Sequence, residues 1–113
     1  MYRFEIYLGS TLIGWSDLES GDPPMGVAEG RFIPAPTYSN EMIATEASQQ
    51  PLNLRVRGGE PIQSVGGVCI LDHSAELGPE AMEVSILGIA TPLYESLFPE
   101  HVASYERQFP RGA

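Results

Sequence analysis

Lysine is absent from this chain of 113 residues, and all six basic side chains are arginine. Fifteen acidic side chains stand against them, for a formal net charge of -9. The stretch from Gly58 to Glu106 holds no Arg or Lys, yet it carries Glu60, Asp72, Glu76, Glu80, Glu83, Glu95, Glu100 and Glu106. Recognition of phosphate backbones and of anionic membranes begins with Lys and Arg neutralising negative charge, so this balance excludes direct binding to nucleic acid or a membrane surface. Cys69 is the single cysteine, which excludes an internal disulfide and a cysteine-based zinc site within one chain. No apolar run approaches the length that crosses a bilayer, and "MYRFEIYLGS" lacks the basic head, apolar centre and cleavage site of a secretion signal. A cytoplasmic location is the expectation.

What is present is an ordinary globular composition. Hydrophobic residues make up 42% of the chain and charged ones 19%, which suits one domain, 1-113, that buries roughly two-thirds of its unfolded surface. Tyr2, Phe4, Ile6 and Leu8 alternate with Arg3, Glu5 and Tyr7, the period of a half-buried strand. Gly9-Ser10 supplies a two-residue turn, and pairing Leu8 with Thr11 would set Ile6 opposite Ile13 and Phe4 opposite Trp15. "SDLESGDPPMG" reads as a loop from its Gly and Pro content, and Val27 to Ile33 as the next strand. A short helix is expected within 37–50, with Tyr38, Met42 and Ile43 on one face and Thr37 or Ser39 as its cap. Further strands are expected at "LNLRVR", "IQSV", "VCILDH" and "AMEVSILGI", with a turn at Gly58-Gly59, a bend at Gly66-Gly67 and a loop at "SAELGPE". Thr91 is placed as the cap of a helix starting at Pro92, and Pro99 as the start of a second helical turn. Leu93, Tyr94, Leu97 and Phe98, then Val102, Tyr105 and Phe109, form its apolar stripe, while His101 faces water and "PRGA" frays. The expected architecture is α+β and strand-rich: a mainly antiparallel sheet of about six strands with one or two short helices packed on one side.

Each candidate chemistry has a plain structural role beside it. Asp17, Glu19 and Asp22 lie too close to Pro23-Pro24, between strands, to form a calcium loop. Cys69 and His73 share a strand face but stand about 13 Å apart at the usual rise, too far for a thiol-imidazole pair. Asp72, His73 and Ser74 are chain neighbours pointing to alternating sides and make no triad. The glycine pairs are followed by neither a helix nor a phosphate-binding Lys, and nothing separates the pKa values of Glu76 and Glu80 as acid-base catalysis needs. No catalytic residue, metal ligand or cofactor is expected, and the chain is read as a binding protein and not an enzyme.

The "SDLESGD" loop and the lysine-free, acid-rich half from Gly58 to Glu106 give the chain its character. In these features it resembles, across its whole length, the small acidic immunity proteins of bacterial polymorphic toxin systems. That resemblance implies a basic protein partner such as a toxin domain, contacted by Asp17, Glu19 and Asp22 together with Glu76 and Glu80. A phage-type inhibitor that mimics nucleic acid with its carboxylates shares the same physics. Two other classes stay open: a small-molecule protein or enzyme with a pocket lined by Trp15, Tyr7 and Tyr94, and an accessory domain pairing through a sheet edge or the last helix.

Overall fold

The amino-terminal hairpin forms as its alternation predicts, with β1 (Phe4–Leu8) antiparallel to β2 (Thr11–Ser16) and Gly9 at φ 61° in the turn. A computed structural model describes residues 2–39, 52–78 and 80–109. Leu8 does face Thr11, but a bulge then shifts the register, so Ile6 lies opposite Gly14 and Phe4 opposite Ser16. Trp15 therefore sits opposite Glu5 and turns outward, where it stacks on Tyr2 at 6.4 Å. The interior at this level is already filled. Phe4, Phe32 and Phe98 are fully buried there, and a Cβ on Gly14 would run into the Phe32 ring.

The stretch expected as a loop contains structure of its own. Ser20–Asp22 forms β3, Pro23–Met25 a 3-10 turn with its prolines at the first positions, and Gly26 reverses the chain at φ 66°. A Cβ on Gly26 would strike the backbone of Ile89, so glycine is needed at this reversal. β3 then pairs with β4 (Val27–Arg31), Ser20 opposite Glu29 and Asp22 opposite Val27. The strand expected over Val27 to Ile33 is bent at Phe32. Its first part belongs to one sheet, and β5 (Ile33–Pro34) belongs to the other through Trp15 and Gly14.

β6 (Leu52–Val56) pairs with β1, Ile6 opposite Leu54. After the turn at Gly58, Pro61 bridges to Arg55, and the "IQSV" stretch forms no strand but bonds at its ends, Ile62 N–H to the Leu54 carbonyl at 2.8 Å and Val65 N–H to the Gly88 carbonyl at 3.0 Å. β7 (Gly67–Asp72) and β8 (Met82–Leu87) follow, joined by α1 (Ser74–Leu77), a single helical turn where a loop was expected. The helix expected within 37–50 lies, beyond Ser39, outside the described residues, as does "PRGA".

Among the described residues eight strands form two antiparallel four-stranded sheets, β5-β2-β1-β6 and β3-β4-β8-β7. The α+β, mainly antiparallel class is thus as expected, with the strands divided between two sheets because Phe32 carries one strand around a corner. Inward side chains of both sheets meet in one core, Phe4, Ile6, Ile13 and Leu54 from the first and Ala28, Ile70, Val84 and Ile86 from the second. α2 (Thr91–Leu97) and α3 (Pro99–Gln108) close the β3 side, and Tyr94 and Phe98 enter the core. Ala90 caps α2, with Thr91 its first helical residue. No helix among the described residues is long and apolar enough to cross a membrane.

The last helix departs from its expected stripe. Phe98 is buried and Val102 packs on the core, but Phe109 is 59% exposed and His101 is 8% exposed. The cause is local. Leu18 is fully buried with φ at 47°, a left-handed conformation that bulky residues rarely adopt, held by the Ser16 hydroxyl accepting the Leu18 N–H at 3.0 Å. That conformation turns the Leu18 carbonyl toward α3, where His101 Nε2 lies 2.8 Å away and donates to it. The imidazole also stacks on Phe98 at 5.0 Å, nearly parallel.

Candidate functional site

Charge divides between the sheets. The strands of the first sheet carry Glu5 and Arg55, whereas those of the second carry Asp22, Glu29, Asp72 and Glu83 against Arg31 alone. Alternation along β4 and β8 buries Ala28, Val84 and Ile86 and turns Glu29, Arg31 and Glu83 to the outer face. The β4–β8 register then sets Arg31 opposite Glu83.

Three adjoining depressions run around edge strand β3. The first, about 270 Å³, lies between β3, β4 and β8 and is lined by Glu19, Glu29, Glu80 and Glu83 together with Arg31. The second, about 400 Å³, shares Glu19 and Ser20 with it and passes between β3 and α3, past Glu100, His101 and Tyr105. The third, about 250 Å³, shares Tyr105 and ends among Pro23, Pro24, Glu95 and Glu106. Seven glutamates and one arginine are the carboxylates and cations of this lining. Among the described residues the one ion pair is Arg3 with Glu100, 2.8 Å, so the glutamates beside β3 and β8 keep no counterion at contact distance.

The five residues singled out from sequence fare differently. Glu19 and Glu80 come together in the first depression, Glu19 with its Oε2 accepting the Arg31 N–H at 3.0 Å. Asp17 lies apart, its Oδ1 accepting the Arg3 N–H at 2.9 Å and tying the amino-terminal segment to the end of β2. Asp22 is exposed at the far end of β3, near Tyr94. Glu76 stands exposed in the first turn of α1 and lines none of the three depressions. Glu29 and Glu83 were missed as site residues. Strand alternation gave their outward direction, but only the pairing of β4 with β8 brings them beside Glu19 and Glu80.

The groups whose ionisation the fold shifts have structural explanations. Asp72 is held below the usual carboxylate range by the Ser74 hydroxyl at 2.5 Å, the Tyr38 hydroxyl at 2.7 Å and the Ser74 N–H at 2.9 Å. Tyr38 is correspondingly pushed up, by burial first and by Asp72 second. Tyr94 is pushed up to about 12 by burial and then by the charges of Asp22 and Glu100, while its hydroxyl donates to the Val27 carbonyl at 2.8 Å. Partial burial acts to raise the Glu100 carboxyl, but its own backbone N–H and the Arg3 guanidinium outweigh that and hold it below its ordinary value. Arg3 also donates to the Leu97 carbonyl at 2.6 Å and lies over the Phe4 ring at 4.9 Å, fastening α2 and α3 to the first sheet.

Catalytic convergence is not among these arrangements. Cys69 is exposed on the outer face of β7, Asp72 is engaged by Tyr38 and Ser74, and His73 faces water. No three of the described His, Cys, Asp and Glu side chains gather as a metal site. Trp15 and Tyr7 lie on the outside of the first sheet, Tyr7 under Arg55 at 4.4 Å, while Tyr94 is buried beneath α2, so these rings do not enclose a common pocket. What the β3 band offers chemically is hydrogen-bond acceptors and negative charge, spread over a surface wider than any single ion. Comparison with known proteins finds no matching family model, no matching curated protein and no matching solved structure.

Proposed function

We propose that this chain is an acidic binding protein of the cytoplasm that neutralises a basic protein partner, in the manner of an immunity protein blocking a bacterial toxin. The observation that carries the reading is the band around β3, where seven glutamates line adjoining depressions; among the described residues Arg31 is the only arginine in that lining, and only Glu100 is ion-paired, with Arg3. A surface of this kind accelerates encounter with a cationic protein and repels nucleic acid. Its spread favours several arginines or lysines of a partner over one small cation.

The electrostatic half of the reading is tested with a fluorescent peptide of four arginines separated by serines, titrated at low and high salt. Binding to the wild type should weaken with salt. Replacing Glu19, Glu29, Glu80 and Glu83 together by Gln removes four exposed charges, each contributing about 0.5 kcal/mol, so affinity should fall about thirtyfold. Equal loss on changing Glu5 and Glu60 to Gln, which lie outside the band, would overturn the assignment. The immunity half is tested by expressing the product of the adjacent gene with and without this chain. Growth restored by the wild type and not by the fourfold variant supports it, and a neighbour that is harmless alone counts against it.

A further inference from the structure

The outer face of the β3-β4-β8-β7 sheet is covered by no described helix, and its side chains change character from one edge to the other. Cross-strand rows can be followed through the register: Arg31, Glu83 and Leu71 form one, and Ser20, Glu29, Ser85 and Cys69 another. The glutamate depression occupies the β4–β8 side of these rows, while Leu71 at 47% exposure and Cys69 occupy the β7 side. Leu87, 37% exposed, faces Gly67 on the same side. Val65, 97% exposed, is held beside Leu87 because its N–H binds the Gly88 carbonyl at 3.0 Å. Scattered aliphatic side chains on a surface are ordinary, but Leu87 adjoins Val65, Cys69 stands between Leu87 and Leu71 two rows away, and this line borders a strip in which four glutamates outnumber Arg31. An apolar centre flanked by charge is the anatomy of a protein interface.

We propose that this open face is the docking surface for the basic partner, with Leu71 and Leu87 making its desolvated contact while the glutamates steer and orient the partner. The inference rests on the reading above and adds to it the chemistry of the occupant: an aliphatic patch set among arginines or lysines. A second copy of this chain is the wrong occupant. A two-fold contact through this face would bring the same glutamates against one another, in a molecule of net charge -9.

The experiment compares two peptides of equal charge, four arginines separated by serines and four separated by leucines. The wild type should bind the leucine peptide about tenfold more tightly, the size of effect one well-buried apolar contact supplies. Changing Leu71 and Leu87 together to Ser should erase that advantage and leave the serine peptide unaffected. Both leucines are exposed, and an unchanged urea midpoint verifies that the variant is folded. A second measurement needs no substitution: Cys69, the only thiol, lies on the same face, so the leucine peptide should slow its alkylation more than the serine peptide does. An advantage that survives in the variant, equal protection of Cys69 by both peptides, or a wild-type dimer that the variant dissolves would each overturn the proposal and leave the charge reading standing. Failure of both peptides to bind would remove the two together.

Discussion

His101 ties α3 to the segment that leads into β3, and its replacement yields a separable pair of effects. In His101→Phe the ring and its stack on Phe98 are kept, but the buried Leu18 carbonyl loses its 2.8 Å donor. A buried acceptor left without a partner costs about 2 kcal/mol. In His101→Ala the stack is lost as well, adding about 1 kcal/mol, and the void beside Phe98 adds about as much again. The expected destabilisation is therefore about 2 kcal/mol for Phe and about 4 kcal/mol for Ala, against a total of roughly 5–15 kcal/mol for a domain of this class. Urea unfolding checks both: the midpoints should fall in that order with the slope unchanged, since the surface exposed on unfolding is nearly the same. A His101→Phe protein as stable as the wild type would refute the reasoning. It would mean that the Leu18 carbonyl finds another donor and that the imidazole serves only as a flat ring. The same tie sets the width of the groove between Glu19 and Glu100, so His101→Ala should also weaken the arginine-serine peptide.

Two further outcomes follow from particular contacts. A Cβ in Gly21→Ala would meet the Tyr94 hydroxyl, the Val27 carbonyl oxygen at 2.8 Å and His101 Cδ2 at 2.9 Å, so β3 must move away from α3. The cost should be about 1–3 kcal/mol in urea, with faster amide exchange in α3 as the local signature. At alkaline pH, Tyr94 and Tyr38 keep their protons in the folded state beyond the unfolded value of about 10. The unfolded chain then binds fewer protons than the folded one, so stability should fall as pH rises from about 10. Tyr94→Phe should flatten that decline in melting temperature through the range up to about 12, and an unaltered slope would exclude Tyr94 as a contributor.

Legibility in the sequence tracked how local each determinant is. The alternation of Phe4–Leu8 and Met82–Leu87 was readable because one face of each strand is buried, so that every second side chain is enclosed. β3 was not readable: all three of its residues are exposed, and it is a strand only because β4 lies beside it. The bulge in β2 sets Gly14 against Phe32, a residue that arrives from beyond the end of β4. The candidate site was half legible in the same sense. Glu19 and Glu80 stood out by charge alone, while Glu29 and Glu83 needed the pairing of distant strands. Asp17 looked equivalent to Glu19, and only the fold shows that its carboxylate is engaged by the Arg3 backbone. His101 looked exposed because its burial answers a left-handed Leu18 that no periodicity announces.

The placement of the arginines bears on whether this acidity is merely a solubility device. Mixed signs would serve solubility with less internal repulsion, and six arginines are available for mixing. Arg55 is committed elsewhere, lying on Tyr7 and donating to Asn53 at 3.0 Å, and Arg3, set against the Phe4 and Phe98 rings, reaches only Glu100 at the border of the band. Arg31 alone stands among Glu19, Glu29, Glu80 and Glu83. The resulting repulsion opposes folding and is tolerated because the core of the two sheets, with Phe98 and Tyr94 added from the helices, offsets it. A cationic partner of the kind proposed would supply the counterions that the chain withholds from Glu19, Glu29, Glu80 and Glu83. Binding should therefore raise the unfolding temperature of the protein by mass action, and because relief of repulsion contributes to the affinity that sets this rise, the rise should shrink as salt is added.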